Sequence, residues 1–321
     1  MMRLGILSTA HINRLVIPEA QRSRKVDLVA VASRDRGRAR EYAARWGIPC
    51  SYGSYEQLLA DPEIDAVYIS LPNSMHVDWS IKSLEAGKHV LCEKPLTRHA
   101  ADAERAFDVA DRTERILMEA FMYRHHPQTR RLAELVRQGA IGELRLIRAA
   151  FSFDLDDPEN VRLRTDVEGG SLMDVGCYCV SGSRLLGGEP DRVFAEQVVG
   201  ATGVDVRMHA TMHFPSGVHA QFDCGLQNAD RDELEAVGSE GVLFLDDPWH
   251  ARNPVIELRK GGQTKLIQVE PGNSYRLELE NLADAIAGEA EPLLGREDAV
   301  AQARVIEALY RSAETGAAVS L

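Results

Sequence analysis

Within the first 121 residues, short apolar runs closed by small or polar residues alternate with stretches of helical periodicity. Arg3-Leu4-Gly5-Ile6-Leu7-Ser8 is one such run. Asp27-Leu28-Val29-Ala30-Val31-Ala32-Ser33-Arg34 follows about one strand–helix–strand unit downstream, and Asp65-Ala66-Val67-Tyr68-Ile69-Ser70-Leu71-Pro72-Asn73 is a third. Helical patterns over 36–46 and 77–86 separate them. This alternation admits few folds, because parallel strands need crossovers and those crossovers are right-handed. His89-Val90-Leu91-Cys92-Glu93 and 115–121 read as further strands, and Pro127 lets a new helix begin over 126–138.

After Gly142 the pattern changes. Strand candidates over 144–153, 193–199, 205–214, 219–226 and 233–237 succeed one another, several separated by turn residues such as Pro215-Ser216-Gly217. Residues 255–259 and 265–269, joined through Gly261-Gly262, predict a hairpin. The expected fold is α/β: a parallel-sheet domain over 1–121, then an α+β domain over 122–321 with a large, mostly antiparallel sheet. Helices over 275–287 and 298–313 close the chain and can pack back on the first domain, which would make the boundary discontinuous.

Composition narrows the function classes. The 321 residues are 45% hydrophobic, enough for two cores. A net charge of -12 argues against nucleic acid, whose binders present a basic face. No apolar run reaches the roughly 18 residues of a membrane helix, and no signal-peptide pattern opens the chain. Cysteines 50, 92, 177, 179 and 224 form no CxxC pair, so reduced thiols in the cytoplasm are expected. His209, His213 and His219 read as polar residues on a sheet face, and no metal is expected.

Two segments carry chemistry. In an open parallel sheet the carboxyl ends of strands border the ligand crevice. Lys94 stands at such an end, between Glu93 and Pro95, which fixes the backbone direction. Gly169-Gly170-Ser171-Leu172-Met173-Asp174-Val175-Gly176-Cys177-Tyr178 reads as a helix start, with Asp174 and Tyr178 one turn apart on one face. An ammonium, a carboxylate and a phenol are the parts for proton transfer beside a nicotinamide. The acidic stretch 154–168 is either a solvated loop or a lid over the substrate.

With these residues in hand, the chain resembles the family of glucose-fructose oxidoreductase and inositol dehydrogenase. The matching pieces are Gly5 to Ile12, Leu71-Pro72-Asn73-Ser74-Met75-His76, Glu93-Lys94-Pro95, Phe121-Met122-Tyr123-Arg124-His125-His126-Pro127 and Gly169 to Tyr178, in family order and spacing. Ser8-Thr9-Ala10 and a tyrosine at 178 look most like the D-xylose 1-dehydrogenase and trans-dihydrodiol dehydrogenase branch. The resemblance implies a Rossmann first domain with cofactor contacts from Ser8, Thr9, Ala10, His11, Ile12, Leu71, Pro72, Asn73, His76, Glu93 and Lys94. The family's G-x-G-x-x-G falls on Ser8, Ala10 and Asn13, so all three glycines are missing. A helix N-terminus and small side chains still suit a pyrophosphate, and the hydroxyls of Ser8 and Thr9 can add donors. Ser33, Arg34 and Arg38 at the end of the second strand suit a 2′-phosphate, which favours NADP over NAD; Asp35 conflicts unless it caps the next helix.

The resemblance also implies that Tyr178 is the acid–base and Lys94 its helper, with Asp174 and Arg124 lining the substrate. A free phenol ionises near pH ~10, and a neighbouring ammonium favours the phenolate. The expected function is an NADP-dependent dehydrogenase of a sugar or polyol, lactone-forming on an aldopyranose. The alternatives are a nucleotide-sugar ketoreductase and a non-catalytic NADP-binding regulator. A homodimer or homotetramer through the second domain's sheet is expected by analogy.

Overall fold

The computed structural model describes residues 1–321, and they divide into two compact units. The first comprises Met1–Thr97, Ala101–Met122 and Asn273–Val300; the second comprises Arg98–Ala100, Tyr123–Gly272 and Ala301–Leu321.

The first unit is built on β1 (Met2–Leu7), β2 (Val26–Ala32), β3 (Cys50–Tyr52), β4 (Ala66–Ile69), β5 (His89–Glu93) and β6 (Leu117–Ala120). All pair in parallel, in the order β3-β2-β1-β4-β5-β6. This is the doubly wound order, in which the connection reverses between β1 and β4 and opens a ligand crevice there. The central strands are mainly apolar because both faces are covered, and β4 is buried at every position, whereas the edge strand β3 is largely exposed. The helices are α1 (Asn13–Arg22), α2 (Arg36–Trp46), α3 (Tyr55–Leu59), α4 (His76–Glu85) and α5 (Ala100–Thr113). Asp35 caps α2 by accepting from the Arg38 amide at 2.6 Å, and Gly47 ends it in the left-handed conformation.

In the second unit, α6 (Pro127–Arg137) starts where His126 accepts from the Gln128 amide. The sheet holds β7 (Leu144–Asp154), β8 (Arg192–Val199), β9 (Asp205–His213), β10 (His219–Gly225), β11 (Gln227–Gly238), β12 (Gly241–Leu245), β13 (Val255–Lys260), β14 (Gln263–Gln268) and β15 (Val319–Ser320). Its order is β14-β13-β12-β11-β7-β10-β9-β8-β15, antiparallel except where β7 and β10 run side by side in parallel. The expected α/β class with a mostly antiparallel second sheet is therefore what the chain forms. α7 (Cys177–Gly187) packs on β7, β10 and β11, covering one face. The other face is open, and Arg148, Phe194, His209, Gln221 and Glu233 line a groove of about 570 Å³ on it.

The chain closes with α8 (Ser274–Ile286) and α9 (Arg296–Thr315). α8 packs on α1, β2 and β5 inside the first unit. No helix is long and apolar enough to cross a membrane.

Candidate functional site

In the first unit, the turn after β1 lacks glycine but keeps a glycine-like backbone. Ser8 has φ of +136°, a conformation that costs an L-residue. A closed polar ring holds it. The Ser8 hydroxyl donates to the Ser70 carbonyl at 2.9 Å and accepts from the Ala10 amide at 3.0 Å. Asn13 Nδ2 donates to the Ser8 carbonyl at 3.0 Å, and Ser70 Oγ donates to Asn13 Oδ1 at 2.7 Å. Ser8 and Asn13 are buried, so this hydroxyl is engaged within the fold and is not a spare donor for a phosphate. Thr9, Ala10 and Ile12 are half-buried and His11 is exposed, leaving that stretch accessible ahead of α1.

At the end of β2 the hydroxyl of buried Ser33 accepts from the Asp35 amide at 3.3 Å. Asp35 itself is occupied as the α2 cap, so it does not offer the carboxylate that a free ribose 2′-hydroxyl would use. Exposed Arg34 hydrogen-bonds Tyr55, and the charge of exposed Arg38 lies close to the same phenol. Two guanidinium groups at this strand end fit a 2′-phosphate.

At the end of β4, Leu71 is buried, Pro72 and Asn73 are half-buried, and His76 opens α4. His76 is fully buried, with Nδ1 at 2.8 Å from the Pro95 carbonyl and Nε2 at 2.8 Å from the Leu71 carbonyl. Burial pushes its pKa down and the two carbonyls oppose that, with Lys94 adding to the lowering. The imidazole ties the strand ends together and has no nitrogen left for a ligand.

Lys94 follows β5, half-buried, joined to Pro95 by a cis bond. Its amide donates to Glu93 Oε2 at 3.2 Å, and the Tyr68 hydroxyl donates to Glu93 Oε1 at 2.5 Å. Glu119, buried on β6, accepts from the Leu96 amide at 2.7 Å. The lysine thus leaves the sheet from a strand end clamped on both sides.

In the second unit, the stretch before Tyr178 is not a regular α-helix. Leu172–Gly176 forms a π-turn, whose bonds run five residues back and which is often found at functional positions, and α7 begins only at Cys177. Asp205 on β9 anchors the start, accepting from Ser171 Oγ at 2.7 Å, the Leu172 amide at 2.7 Å and the Tyr310 hydroxyl at 2.8 Å. The glycine doublet makes this possible. A Cβ on Gly170, whose φ is +127°, would lie 2.1 Å from Asp205 Oδ1; one on Gly169 would lie 2.4 Å from the Arg162 carbonyl oxygen. Burial pushes the Asp205 carboxyl up, and its three donors oppose that.

Tyr178 is buried in an aromatic nest, with ring centroids of Phe151 at 5.4 Å, Tyr123 at 5.7 Å and Trp249 at 5.9 Å. Trp249 is fixed by Nε1 donating to the Ala150 carbonyl at 3.0 Å. Arg124 Nη1 donates to Ser181 Oγ at 3.3 Å, one helical turn beyond Tyr178. Asp174 Oδ2 accepts from Arg162 Nε at 2.6 Å. Arg162 comes from the stretch 154–168, which contains two 3₁₀ turns, Val161–Leu163 and Thr165–Val167, and this bond ties it to the segment carrying Asp174.

Sequence reading missed Arg162, Asp205 and Trp249. The Gly169-Gly170 doublet signalled a close approach at this point but not what approaches. Nor did the sequence foretell a network beside the nest: His250 Nδ1 lies 2.6 Å from Asp232 Oδ2 and 3.6 Å from Asp247 Oδ1, and Arg252 pairs with Asp247 at 3.0 Å. Asp232 and Asp247 raise the His250 pKa to about 9. Although these three residues have ligand geometry for a cation, the imidazolium and Arg252 already balance both carboxylates. On the open sheet face His213 meets Asp191 at 2.6 Å and stacks edge-on against His219 at 4.9 Å.

A doubly wound sheet with a lysine at a strand end, and a second unit carrying a tyrosine on an anchored helix, define an oxidoreductase of the dinucleotide-binding class. Residues 2–121 match the oxidoreductase family with NAD-binding Rossmann fold, and residues 129–244 match the GFO/IDH/MocA C-terminal domain. The chain belongs to the GFO/IDH/MocA oxidoreductase family. It is 42% identical over 328 residues to D-xylose 1-dehydrogenase (NADP(+)) 2 of Haloferax volcanii, covering 100% of both chains. Aldose-aldose oxidoreductase from Caulobacter crescentus, solved with glycerol, superposes with a TM-score of 0.93 at 29% identity, covering 100% of this chain and 99% of that one. A 3-ketoreductase from Actinomadura kijaniata, solved with NADP and TDP-benzene, superposes at 0.91 with 32% identity over 97% of each chain. That ketoreductase has also been solved with a lysine changed to alanine and with a tyrosine changed to phenylalanine. The two altered positions lie 84 residues apart, the separation of Lys94 and Tyr178 here.

Proposed function

We propose that this chain is an NADP-dependent dehydrogenase that oxidises a carbinol of a sugar or polyol, with Lys94 and Tyr178 as its proton-transfer pair. The observation that carries this reading is the pair itself: a lysine at a clamped strand end and a tyrosine on an anchored helix, at the spacing altered in the ketoreductase. The relative at 42% identity is named an NADP-dependent xylose dehydrogenase, which favours an aldose as substrate.

When bound, NADP supplies the nicotinamide carbon that accepts the hydride. Thr9, Ala10, His11 and Ile12 offer the pyrophosphate the backbone ahead of α1, with Ser8 shaping that turn; Leu71, Pro72 and Asn73 line the next strand end. Arg34 and Arg38 take the 2′-phosphate, with Ser33 at their base. On the substrate, Tyr178 removes the hydroxyl proton as the C–H bond of the same carbon breaks. The Lys94 ammonium favours the phenolate beforehand and stabilises the developing alkoxide. Asp174, fixed by Arg162, orients a second hydroxyl, and Arg124 lines the same side. An aldopyranose oxidised at C1 gives the lactone, with one hydride and one proton removed. A second copy of the chain covers the open face of the nine-stranded sheet.

The similarity to the ketoreductase supports a second direction, reduction of a keto sugar by the same two side chains. One assay separates the readings: NADPH formation with a panel of aldoses, cyclitols and dihydrodiols, and NADPH consumption with keto sugars. The dehydrogenase reading expects turnover with an aldose, lowered about 10²- to 10⁴-fold in Lys94→Ala and in Tyr178→Phe. No turnover of any alcohol, with NADPH consumed by a keto sugar, would replace it; tight NADPH binding without any turnover would leave a non-catalytic binder.

A further inference from the structure

The peptide bond that leads into Tyr178 has a partner outside its own helix. Gln302 lies on the part of α9 that belongs to the second unit, and it is buried. Its Nε2 donates to the Cys177 carbonyl at 2.8 Å, and its Oε1 accepts from Arg184 Nη1 at 2.9 Å. Arg184, buried on α7, directs its other nitrogens to Glu189, Nε to Oε2 at 2.8 Å and Nη2 to Oε1 at 2.7 Å. A guanidinium can only donate and a carbonyl oxygen can only accept, so the amide of Gln302 has one orientation here. The carbonyl it holds belongs to the peptide that carries the Tyr178 nitrogen.

That peptide lies where the helical register changes. The Cys177 amide still donates five residues back, to the Leu172 carbonyl, whereas α7 runs on from Cys177 as an α-helix. A helix does not fix its own path at such a junction as firmly as inside a regular run, so bonds from other groups matter more. The Cys177 thiol donates to the Asp174 carbonyl at 3.6 Å. Tyr310, two turns beyond Gln302 on α9, donates to Asp205, which in turn anchors Ser171 and Leu172. One helix therefore holds both ends of the π-turn, its start through Asp205 and its end through Gln302. We propose that Gln302 is a positioning residue for Tyr178: it fixes the plane of the Cys177–Tyr178 peptide and so the point from which the phenol departs. A phenol on two torsions cannot make up for a shifted backbone, and a misplacement of about 1 Å is enough to slow a reaction.

The role rests on the proposed part of Tyr178 in catalysis, whereas the hold of Gln302 on the peptide does not, and the test separates them. Gln302→Ala removes both bonds. Gln302→Glu keeps the acceptor for Arg184, whose charge keeps the new carboxyl ionised, but sets an oxygen against the Cys177 carbonyl. Melting temperature, NADPH Kd and deuterium uptake over 171–181 are measured for wild type and both variants, with kcat and sugar KM taken well below the lowest melting point. Both variants should lose about tenfold in kcat, with sugar KM and NADPH Kd moved by no more than about twofold. Deuterium uptake over 171–181 should be faster in both. The Glu variant should melt above the Ala variant and yet be no faster. A merely structural role expects turnover to follow melting, with the Glu variant the faster of the two. That order, or a wild-type kcat in either variant, would overturn the positioning role; if the Ala variant does not fold, the kcat of the Glu variant decides. Should wild type turn over no substrate, the functional reading fails, and deuterium uptake still decides the hold: faster exchange in the variants sustains it, and unchanged exchange overturns it.

Discussion

Lys94 and Tyr178 are held in opposite ways. The lysine stands where a parallel strand stops, and its surroundings are polar: Glu93, Tyr68, Glu119 and His76 fix the backbone on both sides of Pro95 through hydrogen bonds to main chain and carboxylate. The tyrosine ring is instead packed among the rings of Phe151, Tyr123 and Trp249, on a helix whose start is fixed by polar bonds. A flexible ammonium tolerates small errors at its root, because its stem can reach; a phenol with two torsions does not. The second region should accordingly be the more sensitive to a single lost anchor.

Asp205→Ala tests that difference with the largest expected effect. It strips the acceptor from Ser171, Leu172 and Tyr310 together and should cost about 3 kcal/mol of stability, visible as a lower melting temperature. Turnover should fall with it while NADPH affinity stays, since the anchor belongs to the second unit; unchanged melting and turnover would remove Asp205 from the account. Arg162→Ala is next. Losing the 2.6 Å charged hydrogen bond to Asp174 should lower kcat/KM for the sugar about tenfold, again sparing NADPH binding, and Arg162→Lys should recover part of it. An effect confined to NADPH affinity would break the assignment of Asp174 to the substrate.

The smallest effect concerns His250. Its pKa is raised from 6.5 to about 9, so its stabilising contribution is complete below pH 6.5 and is lost as pH rises through about 9. The side chain is 39% exposed, which screens the interaction to about 1 kcal/mol or less. His250→Gln should thus melt below wild type at pH 6 and converge with it by pH 10. A constant gap would mean that the ring contributes by packing against Phe151 and not by charge.

What the sequence made legible follows the same division. β1, β2, β4 and β5 are short apolar runs with sharp ends, and α2 is bracketed by an Asp35 cap and Gly47, so both pattern and punctuation are local. Lys94 shares that advantage, since a strand, a charged pair and a proline are adjacent in the chain. The helix start near Tyr178 was visible as a glycine doublet, but one turn of periodicity cannot distinguish a π-turn from an α-helix. The anchors were not visible at all. Asp205 meets Ser171 from 34 residues away, and Trp249 reaches the Ala150 carbonyl from 99 residues away. β12 and β15 escaped notice as well, β15 because two residues carry no period, and the parallel pairing of β7 with β10 is a tertiary fact that no strand pattern encodes.

The central claim is that Lys94 and Tyr178 work as one unit on one proton. A double-mutant cycle in kcat/KM tests it most directly, using wild type, Lys94→Ala, Tyr178→Phe and the combined variant with the sugar that wild type turns over fastest. Residues that act together lose their effect together, so the combined variant should be about as slow as the slower single one. Losses that multiply, with the combined variant slower by the product of the two, would show the side chains acting independently and contradict the account.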